Sequence, residues 1–129
     1  MNKKGYTLIE LLAVITIIAL LTSVAVISYS YFINKANESA YENYIDSMHE
    51  ASVMYFSKDT SRLPRNNETM LLSLSDLNIG SINNPKDEND KCLNSYIEAK
   101  RNDVDGVISI EYHVYLICND YTNDKIYIN

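Results

Sequence analysis

The sequence predicts an α+β fold: one long N-terminal α-helix, transmembrane in its first half and amphipathic in its second, packed on a small C-terminal antiparallel sheet. Three observations predict it. The run Leu11 to Ile33 contains no charge, no glycine and no proline. No glycine or proline occurs between Gly5 and Pro64, and past the run Ala40, Tyr41, Tyr44, Ile45, Met48, Ala51, Ser52 and Tyr55 recur at helical spacing. From Ser95 onward the periodicity changes to two, interrupted by turn residues.

The first half of the helix is apolar on every side. At about 1.5 Å per residue, Leu11 to Ile33 gives a rod of roughly 35 Å, enough to cross a hydrocarbon core of about 30 Å. Asn34 and Lys35 mark the point where it leaves lipid. The second half, 34–58, carries the apolar stripe, with Glu38, Glu42, Asp46, Ser47 and Glu50 on its other faces. Such a stripe is core, and here it should cover a sheet.

Arg62-Leu63-Pro64-Arg65-Asn66-Asn67 stops the helix and opens a loop over 59–94. Within it, residues 68–79 predict a short helical turn capped by Ser73 or Ser75 and ended by Gly80. The sheet is expected over 95–129. Ser95 to Arg101 reads as a strand, Asp103 to Gly106 as a turn, and Val107 to Asn119 as a strand. In that last strand Ile108, Ile110, Tyr112, Val114, Leu116 and Cys118 share a face. A short strand over Lys125 to Asn129 would point Ile126 and Ile128 inward.

Composition narrows the function. The 129 residues carry a net charge of −6, and the part after Ile33 has nine Lys and Arg against sixteen Asp and Glu. An acidic head repels phosphate backbones, so nucleic acid is not a predicted partner. His49 and His113 stand apart, and no zinc spacing, nucleophile motif or glycine-rich phosphate loop is present. The acidic groups Asp87, Glu88, Asp90 and Asp103, Asp105 lack the ordered ligand spacing of a calcium loop. No enzyme activity, cofactor or metal is expected. Eleven tyrosines and no tryptophan point to packing by rings with one polar handle.

The N-terminus admits three readings. Lys3 and Lys4 before an apolar run, with Ser23-Val24-Ala25 as a small-residue site, fit a cleaved secretory signal. Against this, Glu10 lies inside the run, where a carboxylate costs up to about 3 kcal/mol, and the run continues to Ile33. A plain signal anchor, held with its N-terminus cytoplasmic by the lysines, leaves Glu10 equally unexplained. The third reading accounts for it. Lys3-Lys4-Gly5-Tyr6-Thr7-Leu8-Ile9-Glu10 followed by an unbroken apolar helix resembles the processing site of the type IV pilin and pseudopilin superfamily.

That resemblance implies a prepilin leader over 1–5, a transmembrane and filament-core helix over 6–33, and an extracellular head over 34–129. A prepilin peptidase would cut after Gly5 and methylate the new amine of Tyr6. Glu10 would meet the Tyr6 amine of a neighbouring copy during self-association into a helical filament, driven by an assembly ATPase and a polytopic platform protein. The precursor would sit in the cytoplasmic membrane as a single-pass protein, its product in a cell-surface filament. The short leader, and the head length with a single cysteine pair, resemble pilin-like proteins of Gram-positive bacteria. Where many pilins have a helix-breaking glycine and proline in the apolar segment, this chain has Ala19 and Ile27.

The two cysteines, Cys92 and Cys118, are expected to form a disulfide in an exported head, resembling the disulfide-bounded C-terminal region of many pilins. A secretion or competence pseudopilin, and a signal-anchored surface binding protein that never polymerises, are the alternative functions.

Overall fold

The computed structural model describes residues 7–128. Helix α1 spans Leu8–Lys58 and is followed by a 3-10 turn at Thr60–Arg62 and strands β1 Thr69–Ser73, β2 Tyr96–Val104, β3 Val107–Ile117 and β4 Thr122–Ile128. The chain divides into two units, residues 1–36 and 37–129. In the first, every described residue is exposed. In the second, the four strands form one antiparallel sheet in chain order, and the C-terminal part of α1 lies on it. The α+β class is as the periodicity indicates.

Alternation explains the packing of the second unit. Leu72 of β1, Ile97 and Ala99 of β2, and Tyr112, Val114 and Leu116 of β3 are buried, while their sequence neighbours are more exposed. From α1 come Tyr41, Ile45, Met48, Ser52 and Phe56, spaced by three or four residues. The stripe is close to that expected, except that Phe56 is buried rather than Tyr55. Tyr55 is half-buried, with the Arg62 guanidinium 4.8 Å from its ring centre.

Four details depart from the sequence expectation. The stretch 59–94 is not all loop, because Thr69–Ser73 pairs with Lys100–Tyr96 as an edge strand. The run Met70-Leu71-Leu72 fits either period, and the free edge of β2 decides for a strand. The turn follows at 74–78, where the Ser73 hydroxyl accepts from the Asp76 amide and Asp76 accepts from the Ser73 amide. This turn ends on Asn78, at φ 57°, rather than on Gly80.

The third departure is β4. The Cys118 amide donates to the Tyr121 carbonyl at 2.7 Å, a tight reversal that sets Thr122 opposite Ile117 and Tyr127 opposite Tyr112. Tyr127 therefore faces inward, and Ile126 and Ile128 face outward at 52% and 74% exposure. A one-residue offset exchanges the two faces of a strand. The β2–β3 turn keeps its faces but is tighter than the expected 103–106, because Asp103 and Val104 belong to β2. Asp105 (φ 53°) and Gly106 (φ 83°) form the two-residue turn that an Asp-Gly pair favours.

His49 lies under β4. Its ring stacks on Tyr127 at 3.9 Å and meets Tyr112 edge-on at 5.0 Å, and its Nε2 is buried without a hydrogen-bond partner. Burial pushes its pKa down, against the attraction of Asp46 and Glu50 and with the help of Lys125. A histidine depressed in the fold stabilises it fully above about pH 6.5, and that contribution is lost as the pH falls below this value. His49→Phe keeps the stacking and removes the orphaned nitrogen. We expect it to be more stable by about 1 kcal/mol at pH 7, with the gap to wild type widening towards pH 5. Denaturant melts of both proteins at pH 7 and pH 5 check this, and a gap that does not widen refutes the protonation argument.

Candidate functional site

Two features could carry function, one in each unit. In the first unit, α1 from Leu8 to Ile33 presents its apolar side chains uncovered, among them Leu11, Ile15, Ile18, Leu21 and Ile27 at 54–73% exposure. Each would gain about 1.5–3 kcal/mol on full burial, so water is not the medium for this surface. Four of the hydroxyls inside the span are satisfied locally. Thr16 donates to the Leu12 carbonyl, Thr22 to those of Ile18 and Ala19, Ser23 to that of Leu20 and Ser30 to that of Val26. These bonds lower the cost of carrying these four hydroxyls into an apolar medium.

Glu10 is the exception. It lies in the first turn of α1 and is exposed, and it is the only charged residue from Thr7 to Asn34. A carboxylate beside a helix N-terminus is favoured by the free amides there, by about 0.3–1 kcal/mol. Burial in lipid or in a helix bundle costs several kcal/mol unless a cation meets it. Gly5 and Tyr6, the expected cleavage and methylation residues, lie outside the described residues, as does the Tyr6 amine assigned to Glu10.

At the other end of the span Tyr29, Tyr31 and Phe32 are exposed, and the Lys35 ammonium lies 5.8 Å from the Tyr31 ring centre. Amphipathic rings beside a lysine suit the headgroup layer of a bilayer.

In the second unit the feature is the disulfide. Cys92 and Cys118, 26 positions apart, are bonded to each other and buried. Asp90 organises both ends. One carboxylate oxygen accepts from the Cys92 amide at 3.0 Å, and the other accepts from the Asn119 amide at 2.6 Å and from Asn84 Nδ2 at 3.1 Å. The Asn119 amide first, then the Cys92 amide, hold the Asp90 carboxyl below its ordinary pKa. Its stabilising effect is therefore present at neutral pH and lost as acid protonates it below the usual carboxylate range.

Asn84 extends the network to the helix. Its side-chain oxygen accepts from the Tyr41 hydroxyl at 2.7 Å, and its Nδ2 also donates to Asp120 at 2.6 Å. Tyr41 stacks on Tyr121 at 3.7 Å. Helix, loop and disulfide are thus tied at one buried polar node.

These contacts also occupy two of the acidic residues that a cation would need as ligands. The Asp90 oxygens are occupied by protein donors, and the neighbouring sulfurs are in a disulfide rather than free thiolates. Asp103 receives two bonds of 2.8 Å from Arg101, which leaves that arginine paired within the head. Asn84 and Asp90 were missed as structural residues. An Asp two positions before a cysteine signals a local amide cap, whereas the reach of Asn84 to Tyr41, across 43 residues, leaves no local mark.

Residues 1–26 match the family model described as the prokaryotic N-terminal methylation motif, which is the signature of type IV pilins and pseudopilins. No curated protein and no solved structure matches the chain. The motif, with the long apolar helix that it opens, suggests a type IV pilin-like protein and points to a structural rather than an enzymatic role.

Proposed function

We propose that this chain is made as a membrane precursor, cut after Gly5, methylated on Tyr6 and polymerised through α1 into a pilus or pilus-like filament. The observation that carries this is Glu10, a lone carboxylate at the start of the otherwise uncharged span Thr7 to Asn34, whose apolar surface lacks any cover within the described residues. In the precursor, lipid covers that surface, with Tyr29, Tyr31, Phe32 and Lys35 in the headgroup layer. In the polymer, the helices of other copies replace lipid, and the Tyr6 amine of one copy neutralises Glu10 of another. Ion pairing at one height fixes axial register, because every other height leaves both charges unmet. The node that joins Tyr41, Asn84, Asp90 and the disulfide keeps the head folded on the helix outside the membrane.

Cleavage depends on Gly5 because a residue without a side chain fits a tight protease subsite and does not favour continuing the helix. Gly5→Leu is expected to leave the uncleaved chain in the membrane fraction, several residues heavier than wild type by intact mass. A Gly5→Leu protein that is still trimmed to Tyr6 would refute the assignment.

A further inference from the structure

We propose that Glu38, Glu42, Asp46 and Glu50 form a docking ridge for the cationic segment that ends and follows α1, Lys58 to Arg65, of a second copy of this chain. This rests on the polymerisation proposed above and names the head contact that would accompany it.

The ridge is defined by its spacing. The four carboxylates stand at i, i+4, i+8 and i+12 on exposed turns of α1, and the thirteen residues that hold them include no Lys or Arg. Neighbours four apart on a helix lie one above the other, and like charges there destabilise it. Only Asp46 is relieved from the sheet, accepting from the Tyr127 hydroxyl and lying 3.4 Å from Lys125 Nζ. Glu38, Glu42 and Glu50 are left facing outward. Stacking them stabilises nothing within the head, and a cation brought by a second copy would relieve their mutual repulsion.

The complementary patch lies on the same chain. Lys58, Arg62 and Arg65 are exposed within eight residues that carry one carboxylate, Asp59, which is 3.8 Å from Arg62. Glu68 lies just beyond, and the nearby Arg101 is bound to Asp103. This segment is net +2 in a unit that is net −8 over residues 37–129.

Ridge and patch cannot satisfy each other within one copy. From the centre of the ridge to Lys58 the helix rises about 20 Å, beyond a screening length of about 8 Å at physiological salt. Two copies displaced along the axis by about that distance bring the two together. The contact joins unlike surfaces, so each copy offers a free ridge and a free patch to the next, the arrangement that yields open polymers.

The test uses the full chain in cells that carry its processing and assembly machinery. Three variants are made: Glu42→Lys with Glu50→Lys, Arg62→Glu with Arg65→Glu, and all four together. Each pair of reversals is expected to lower the polymer sheared from the surface about tenfold with the processed membrane pool unchanged, and the fourfold variant to recover most of it. The ridge reversal should also melt at a higher temperature than wild type, since it removes like-charge neighbours. Carbodiimide treatment of mixed light and heavy isotope chains should give mixed-isotope peptides joining Lys58 to Glu42 or Glu50.

A fourfold variant no better than either pair, an assembly yield unmoved by reversal, or a ridge reversal that melts lower overturns the docking proposal. Absence of any wild-type polymer would overturn polymerisation instead. In that case the mixed-isotope peptides in the membrane still decide whether ridge meets patch.

Discussion

Glu10→Val is expected to abolish polymer while sparing both processing and the membrane pool. Valine suits an apolar helix in lipid, and the cut after Gly5 lies five residues away, so the precursor should be made, inserted and trimmed. What is lost, on the proposed pairing, is the partner of the Tyr6 amine. Removing one member of a buried pair leaves the other charge unpaired, at a cost of about 3–5 kcal/mol. At each subunit addition that is a factor of about 100 to 4,000 in affinity. Sheared surface protein should therefore fall below a hundredth of wild type, with the processed chain accumulating in the membrane. Glu10→Val protein incorporated into filaments at the wild-type level would refute pairing by Glu10.

Loss of the disulfide is the second large effect, and it acts on the head rather than on assembly. Cross-linking residues 26 apart restricts the unfolded chain by about 3.5 kcal/mol on the chain-entropy model. A small domain is stable by about 5–15 kcal/mol in total. Cys92→Ala with Cys118→Ala should melt about 20 °C below the oxidised wild type and should be readily digested outside the cell. The local geometry agrees with a stabilising role. Cys92 holds φ at 47°, an uncommon backbone angle for a residue with a side chain, and the Asp90 cap and the disulfide both fix it there. Reduced wild-type protein should match the double variant. A difference of less than about 5 °C between oxidised and reduced protein would refute the assigned contribution.

Much of this organisation is legible in the chain, for identifiable reasons. A single carboxylate stands out against a run of uncharged residues, so Glu10 needs no coordinates to be noticed. The helix up to Lys58 is legible because nothing before Pro64 interrupts it. The Asp105-Gly106 hairpin is legible because few residue pairs accept positive φ at both positions. Strand β1 is not, since three consecutive apolar residues have no period and only pairing with β2 makes Met70-Leu71-Leu72 a strand.

The inward residue of β4 is hidden for a different reason. Ile126, Tyr127 and Ile128 are all apolar enough to be core, and the reversal from Cys118 to Tyr121 chooses between them. Asn84 is invisible because two of its partners, Asp120 and Tyr41, arrive from 36 and 43 residues away. The acidic residues of α1 are readily seen as a solvent face. Their alignment into one ridge, with a cationic segment starting where the helix ends, depends on the helix being unbroken from Glu38 to Lys58.

The most direct measurement is the N-terminal mass of protein sheared from the surface of cells that express the full chain. Polymerisation through a processed α1 predicts a chain that starts at Tyr6, carries one methyl group on its amine and is recovered with filaments. Protein that starts at Met1 and stays in the membrane as a monomer would contradict it.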